Sequence, residues 1–280
     1  EVPLEVKDEE LVKTKARASA LVNSQRKSVD TLAFVKDRVS AITNYQDIVM
    51  PDSQQSVLLV DDFLGSDDLV TEMESECSAM LADGKLSLRS VDAIGEYTVQ
   101  INGGDNYADC PRCVEFVVGM TRNMPPLLNE AAAASATQDW QELDATASMA
   151  TFITFDRKAK LACESLINEA EKASSLEDDK DEKSLKNDDN YAFANGGDKK
   201  DARKVTALYF LTPKEWDPSC GGGLTTKNTD DDATTFLPAK NDRLMLFRSD
   251  LCLHKIEEWI GKEQLDVATF LVVHLVKRNN

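Results

Sequence analysis

Residues 205–211 (VTALYFL) and 267–276 (VATFLVVHLV) decide the fold class of this chain. Both runs are rich in β-branched and aromatic residues, which favour strands. The sequence has no run of about 18 apolar residues, so a transmembrane helix is excluded. The apolar stretches are strand-sized, and Phe270–Val273 is among the longest of them.

Working outward, the last third of the chain holds further short strands separated by turn residues. The predicted strands are Thr234–Leu237, Arg243–Phe247 and Lys255–Trp259, and the turns lie at Pro213, Gly221-Gly222-Gly223, Pro238, Asn241-Asp242 and Gly261. Several short strands with regularly spaced turns are typical of a β-sandwich or a jelly roll.

The middle of the chain adds helices and more strands. We expect strands at Ser56–Val60, within 86–102 and over Ala147–Phe155. A first helix, capped by Ser66, bears Leu69, Met73, Cys77 and Met80 at helical spacing. A second helix runs from Pro111 to about Met124, where Pro125-Pro126 ends it, and an alanine-rich helix follows over Leu127–Ala136. Helices before and between strands indicate an α+β fold.

The N-terminal region, residues 8–45, is predicted to be one long helix. Leu32, Val35, Val39 and Ile42 form an apolar stripe at steps of three and four residues. Two uses of this stripe are open, which are packing on its own domain and docking a partner protein. We divide the chain into a helical extension (1–50) and a jelly-roll domain (51–280).

Charge limits the classes of partner. The chain has 32 Lys and Arg against 50 Asp and Glu, a net charge of −18. Such a field repels phosphate backbones, so nucleic-acid binding is not expected, and a protein partner would contact the N-terminal helix or the acidic surface. An insertion at about 158–190 carries many of the acids, and residues 176–190 are expected to be mobile.

Two features bear on localisation and redox chemistry. A first residue other than Met suggests a processed, imported or organellar protein, and the absence of Asn-x-Ser/Thr sequons disfavours secretion. Cys110-Pro-Arg-Cys113 is a C-x-x-C motif. A zinc site, a redox dithiol or local disulfide, and two unrelated thiols at a helix start all remain open, although zinc would need a second ligand pair.

The chain after residue 190 holds an ordered set of motifs, which are Tyr191-Ala-Phe-Ala-Asn195, Lys204-Val-Thr-Ala-Leu-Tyr-Phe210, Trp216, Gly221-Gly-Gly-Leu224, Pro238, Asn241-Asp-Arg-Leu-Met-Leu-Phe247, Ser249-Asp250 and His254. This order of motifs resembles the catalytic core of the prolyl 4-hydroxylase type of 2-oxoglutarate- and iron(II)-dependent oxygenases. The resemblance covers residues 56–276. It implies a double-stranded β-helix core, a jelly roll with helices packed on one sheet.

The resemblance also implies where iron ligands should stand. The family holds Fe(II) with a His-x-Asp motif and a distal His, which leaves open positions on the metal. His254 matches the distal histidine, but Ala192 and Ala194 occupy the other two ligand positions. Asp198, Asp201 and His274 are the remaining candidate ligands, and their places in the sequence do not favour substitution.

Co-substrate binding is altered as well. The basic residue that clamps 2-oxoglutarate in the family falls on Gln264 or Leu265 here, and Lys262 stands too early. By the same resemblance, Asn195 and Tyr209 are candidate co-substrate contacts.

Two accounts of the alanines compete, natural loss and engineered removal, and the missing clamp favours natural loss. The first function hypothesis is a pseudoenzyme that needs no cofactor and acts as a binding or assembly module. The second is an active dioxygenase that hydroxylates prolyl or related residues with Fe(II), 2-oxoglutarate and ascorbate, of which this chain is an inactivated or divergent copy.

Overall fold

The computed structural model describes residues 30–50, 57–88, 96–102, 104–137, 139–155, 201–217, 221–228, 232–257 and 268–278. The predicted acidic insertion at 158–190 lies outside the described residues. None of the helices in the described part of the chain combines the length and the apolarity needed to cross a bilayer.

The described residues form four helices and ten strands. The helices are α1 (Thr31–Ser40), α2 (Gln46–Val49), α3 (Asp67–Ala82) and α4 (Pro111–Ala134). The strands are β1 (Val57–Val60), β2 (Ser87–Leu88), β3 (Glu96–Gln100), β4 (Leu143–Phe155), β5 (Arg203–Phe210), β6 (Leu224–Lys227), β7 (Thr234–Leu237), β8 (Arg243–Phe247), β9 (Leu253–Ile256) and β10 (Ala268–Lys277).

The strands form two antiparallel sheets. The larger has seven strands in the order β1-β8-β5-β10-β4-β3-β2, and the smaller has three in the order β7-β6-β9. Helix α4 packs against β4 and β10 of the larger sheet, and α1 packs against α4. The predicted α+β class, with a jelly-roll core and helices on one sheet, is confirmed.

The central strands of the seven-stranded sheet, β8, β5 and β10, are buried on both faces. On β5, Val205, Ala207 and Tyr209 join the helix-side core, which also contains Val35 and Met120 from the helices. Leu208 and Phe210 alternate with them and join the inter-sheet core, which contains Leu224 and Ile256 of the smaller sheet. Because successive residues of a strand point to opposite faces, strands covered on both faces are apolar throughout.

The prediction of one continuous helix over residues 8–45 is wrong within the described residues 30–45, because the helix there begins at Thr31 and ends at Ser40. Asp30 has non-helical backbone angles (φ −72°, ψ 89°), and its carboxylate accepts a hydrogen bond from the Ala33 N–H at 3.1 Å. This is an N-cap, so α1 begins at Thr31, and it ends at Ser40. Periodicity alone did not reveal this boundary, and residues 1–29 lie outside the described part.

The apolar stripe of that helix packs on its own domain. Val35 and Val39 are fully buried in the helix-side core. A Cβ added at Gly119 of α4 would lie 2.8 Å from Val35 Cγ1, so the glycine permits the close approach of the two helices. The core is therefore shared across residue 50, and the domain boundary there stays a prediction.

The two helices predicted on either side of Pro125-Pro126 are one helix, α4. Proline inside a helix removes a hydrogen bond, but here tertiary contacts hold both halves in line. Met124 and Leu128 are fully buried. Beyond the prolines, the Asn129 side chain accepts from Leu143 N at 2.9 Å and donates to Leu143 O at 3.0 Å, which fixes the second half to β4.

The predicted strands over 234–237 and 243–247 are confirmed to the residue. The one predicted at Lys255–Trp259 is shifted, because β9 spans Leu253–Ile256 and pairs with β6 through Thr226 and His254. Ser66 caps α3 as predicted, with its Oγ accepting from Leu69 N at 3.4 Å.

Candidate metal and co-substrate site

His254 projects from β9 into the space between the two sheets. Ile256, two residues along the same strand, belongs to the inter-sheet core, so His254 shares that face. Its ring meets the Phe247 ring edge-on, with centroids 4.9 Å apart and an interplanar angle of 70°. The residue is fully buried.

One nitrogen of His254 is satisfied and the other is not. Nδ1 lies 2.9 Å from the carbonyl oxygen of Cys252, which can only accept, so Nδ1 carries the hydrogen. Nε2 has no hydrogen-bond partner in the described residues. Burial lowers the pKa of His254 to about 4, so the ring is neutral at pH 7. A neutral imidazole held this way presents the Nε2 lone pair that a metal would need.

The other histidine is engaged elsewhere. His274 lies two residues along β10 from Val272 of the inter-sheet core and so shares that face, and its Nδ1 lies 2.8 Å from Thr206 Oγ1. Burial, assisted by the charges of Arg203 and His254, lowers the pKa of His274 to about 3. Sequence analysis did not single out Thr206, since a threonine in an apolar strand carries no distinguishing signal.

The nearby carboxylates are also occupied. Asp201 forms a bidentate pair with Arg203, with Oδ1–Nε at 3.1 Å and Oδ2–Nη2 at 2.5 Å. Asp250 accepts from Arg248 at 2.7 and 2.9 Å, and Lys204 Nζ lies 3.4 Å from its Oδ2. Among the described residues, no group of three or more His, Cys, Asp or Glu side chains could hold a metal ion.

The remaining predicted site residues, Ala192, Ala194, Asn195 and Gln264, lie outside the described residues. For Ala192 and Ala194 the sequence alone is informative, since an alanine side chain has no donor atom. His254 fits an iron ligand, and the placement of Ala192 and Ala194 at the other two ligand positions stays a prediction from the sequence.

Tyr209 does not lie with His254. Its side chain is on the helix side of the sheet, where its ring stacks on Phe116 with centroids 4.7 Å apart. Its hydroxyl donates to Asp242 Oδ1 at 2.7 Å. This placement does not support the predicted co-substrate contact.

Asp242 is the centre of a buried network that the sequence indicated only as a turn. Besides Tyr209, its carboxylate accepts from the backbone N–H of Leu64 at 2.8 Å and of Gly65 at 2.7 Å. Burial raises its pKa despite these donors. The network ties the segment between β1 and α3 to the sheet and has a structural role.

Cys110 and Cys113, at the start of α4, are free thiols. With no three-ligand group near them in the described residues, a zinc site is not supported. The neighbour of Cys113 is Cys77 of α3, whose Sγ lies 3.8 Å from the Cys113 Sγ. No local pattern indicated this contact, because the two cysteines are 36 positions apart in the sequence.

Comparison with solved structures identifies the fold of this chain. No protein-family model matches the chain, and no curated protein matches it. Among solved structures, a Pseudomonas putida prolyl 4-hydroxylase is similar, with a TM-score of 0.53 and 17% identity over 84% of this chain and 100% of that chain.

Two eukaryotic structures are also similar. A prolyl hydroxylase from Trichoplax adhaerens, in complex with a peptide fragment of the hypoxia-inducible factor oxygen degradation domain, has a TM-score of 0.56 and 15% identity over 90% of this chain and 94% of that chain. The Arabidopsis thaliana dioxygenase for auxin oxidation, in its 2-oxoglutarate complex, has a TM-score of 0.52 and 10% identity over 86% and 91%. The chain therefore has the double-stranded β-helix fold of the prolyl 4-hydroxylases and other 2-oxoglutarate oxygenases.

Proposed function

We propose that this chain uses an oxygenase fold as a binding or assembly module and does not catalyse iron-dependent hydroxylation. The observation that carries the proposal is the donor set. Ala192 and Ala194 stand where the resemblance places two of three iron ligands, which leaves His254 alone. One protein ligand is too few to define an Fe(II) site of the two-histidine, one-carboxylate kind.

The surroundings of His254 support the same proposal. The described carboxylates that could replace a lost ligand, Asp201 and Asp250, have both oxygens bound by cationic side chains. The clamp position, Gln264, also lacks the positive charge that would bind the far carboxylate of 2-oxoglutarate.

The proposed partner is a basic protein that contacts the acidic surface. The net charge of −18 favours such a partner. The apolar stripe of the N-terminal region is a less suitable surface, because Val35 and Val39 are already buried against the chain's own helix-side core.

The second candidate is an active dioxygenase acting on prolyl or related residues. One observation favours it. His254 keeps the arrangement of a metal ligand, with Nδ1–H directed to Cys252 O and Nε2 unpaired. A site that had lost all selection for metal would not need this arrangement.

Anaerobic metal analysis separates the two candidates. The purified full chain is incubated with Fe(II) and 2-oxoglutarate, desalted and assayed for iron, with His254→Ala treated in parallel. We expect well under one iron per chain in both proteins. One iron per chain in the original protein, lost in His254→Ala, would overturn the module proposal.

A restored variant provides the positive control. Ala192→His with Ala194→Asp returns the two missing ligands, and Gln264→Arg returns the clamp. If the rest of the site is intact, this triple variant should bind one iron per chain and show the visible charge-transfer band of an Fe(II)–2-oxoglutarate chelate. Iron binding by the variant but not by the original chain assigns the loss to these positions.

A further inference from the structure

The helical layer contains a pair of thiols in contact. Cys77 lies in the third turn of α3, and Cys113 lies in the first turn of α4. Their sulfur atoms are 3.8 Å apart. A disulfide has an S–S length of about 2.05 Å, so side-chain rotation and a small helix shift that brings the sulfurs closer by roughly 1.8 Å would allow a bond.

A third thiol lies nearby but faces away from the pair. Cys110 is the N-cap residue of α4, and its Sγ donates to the backbone carbonyl of Asn106 at 3.4 Å. Cys113, in contrast, has the Cys77 Sγ at 3.8 Å and the Met73 carbonyl oxygen at 3.9 Å as polar neighbours, and it also interacts with the Glu76 carboxylate. The geometry therefore favours the long-range pair over the C-x-x-C pair.

The local electrostatics favour the protonated thiols at neutral pH, which slows their oxidation. A helix N-terminus usually stabilises a thiolate through its free N–H groups. Here the Glu76 carboxylate already accepts from Arg112 N at 2.9 Å and from Cys113 N at 3.0 Å. The hydrogen bond with Cys77, together with burial, raises the pKa of Cys113, and burial raises that of Cys77.

We propose that Cys77 and Cys113 are a modification site at which a peroxide forms an intrachain disulfide between α3 and α4. Hydrogen peroxide oxidises one thiol to a sulfenic acid and is reduced to water. The second thiol then attacks that sulfur, the S–S bond forms and a second water leaves. The two thiols together lose two electrons and two protons, which balances the reduction of one peroxide to two waters.

The bond would stabilise the helical layer. It joins residues 36 positions apart in the sequence and closes a loop that restricts the unfolded chain. The melting temperature should therefore rise by about 5–10 °C on oxidation. Because the thiolate is the reacting form, oxidation should be faster at pH 9 than at pH 7. This inference does not depend on the proposed function.

The test is peptide mapping of the full chain after treatment with hydrogen peroxide. Trypsin places the three thiols on separate peptides, which are 39–85 with Cys77, 90–112 with Cys110 and 113–122 with Cys113. After alkylation of remaining thiols and digestion without reductant, we expect peptides 39–85 and 113–122 to be joined in the monomer. Joining of 90–112 to 113–122 instead, or joining only in covalent dimers, would overturn the proposal.

Matched variants separate the bond from general oxidation damage. Cys77→Ala should abolish the peroxide-dependent rise in melting temperature, and Cys110→Ala, which removes a buried thiol from the same helix start, should keep it. Melting both variants in reductant shows that they fold. A rise that persists in Cys77→Ala, or no rise in the original protein despite complete cross-linking, contradicts the proposal.

Discussion

The two faces of the seven-stranded sheet differ in whether their buried ionisable groups have hydrogen-bond partners. On the helix side, Tyr209 and Asp242 bind each other, and Arg112 binds Glu72 at 2.9 Å and Glu115 at 3.2 Å. On the inter-sheet side, the buried His254 Nε2 has no partner in the described residues. Leaving a buried polar atom unpaired costs free energy. The difference marks the helix side as scaffold, and under the proposed function the inter-sheet side is the remnant of a site.

The largest expected effect comes from disrupting the helix-side core. Val35→Asp with Val39→Asp buries two carboxylates in an apolar contact, so the free energy of unfolding should fall by at least about 4 kcal/mol. Thermal melting of the isolated chain measures it. The control is Ala33→Asp with Ser40→Asp, which adds the same charges at exposed positions of α1. An unchanged melt in the test variant, with loss of a co-purifying protein, would show that the stripe docks a partner instead.

The second prediction concerns pH and the inter-sheet side. His254 has a pKa of about 4 in the folded chain, below its ordinary value of 6.5, so the unfolded chain binds more protons between these values. Its contribution to stability is intact above about pH 6.5 and is lost as the pH falls toward 4. Between pH 7 and pH 4.5 this loss is about 2 kcal/mol.

His254→Phe isolates that contribution, because the ring still packs on Phe247 and cannot ionise. Urea unfolding at pH 7 and pH 4.5 should show that the variant loses at least about 2 kcal/mol less than the original chain. The acidic groups act equally in both proteins, and the variant also lacks the His254 charge that helps to lower the pKa of His274. Parallel pH profiles for the two proteins would mean that His254 is accessible to water.

A smaller effect tests the role of Tyr209. Tyr209→Phe removes one of three donors to the buried Asp242 carboxylate, so stability should fall by about 1.5 kcal/mol. The measurement is chemical denaturation, with 2-oxoglutarate binding by the iron-restored variant as the second readout. A loss of 2-oxoglutarate binding without loss of stability would return Tyr209 to the co-substrate site.

The smallest predicted effect tests how closely α1 packs on α4. Gly119→Ala should cost about 1 kcal/mol, because the added Cβ would lie 2.8 Å from Val35 Cγ1 and this clash outweighs the better helix propensity of alanine. In Val35→Ala the same change at Gly119 should cost less but should not become neutral, because the Cβ of residue 35 would still lie 2.9 Å from the added Cβ. A double-mutant cycle measures this coupling, and strictly additive effects would argue against close contact.

Much of the sheet could be predicted, because short β-branched runs between turn residues identify strands with little help from tertiary structure. Strand β8 matches its predicted bounds. The predicted helix end at Pro125-Pro126 was wrong, because it relied on a local rule for proline. The helix is continuous there through the tertiary contacts of Met124, Leu128 and Asn129.

The candidate site could be predicted in part. His254 was identifiable from the Ser-Asp and His spacing, and the lack of donors at Ala192 and Ala194 is a property of the residues themselves. The face on which Tyr209 lies could not be predicted. Strand β5 is apolar on both faces, so its alternation pattern gives no direction.

The sequence by itself determined the residue pattern of the strands, the acidic net charge and the lack of donor atoms at Ala192 and Ala194, because these depend on residue identity and local spacing. Only the tertiary structure decided which side chains meet across long separations. It placed Val35 on Gly119, Tyr209 on Asp242 and Cys77 beside Cys113. Such contacts arise when distant elements bury their apolar faces together, and no local pattern encodes which elements will do so.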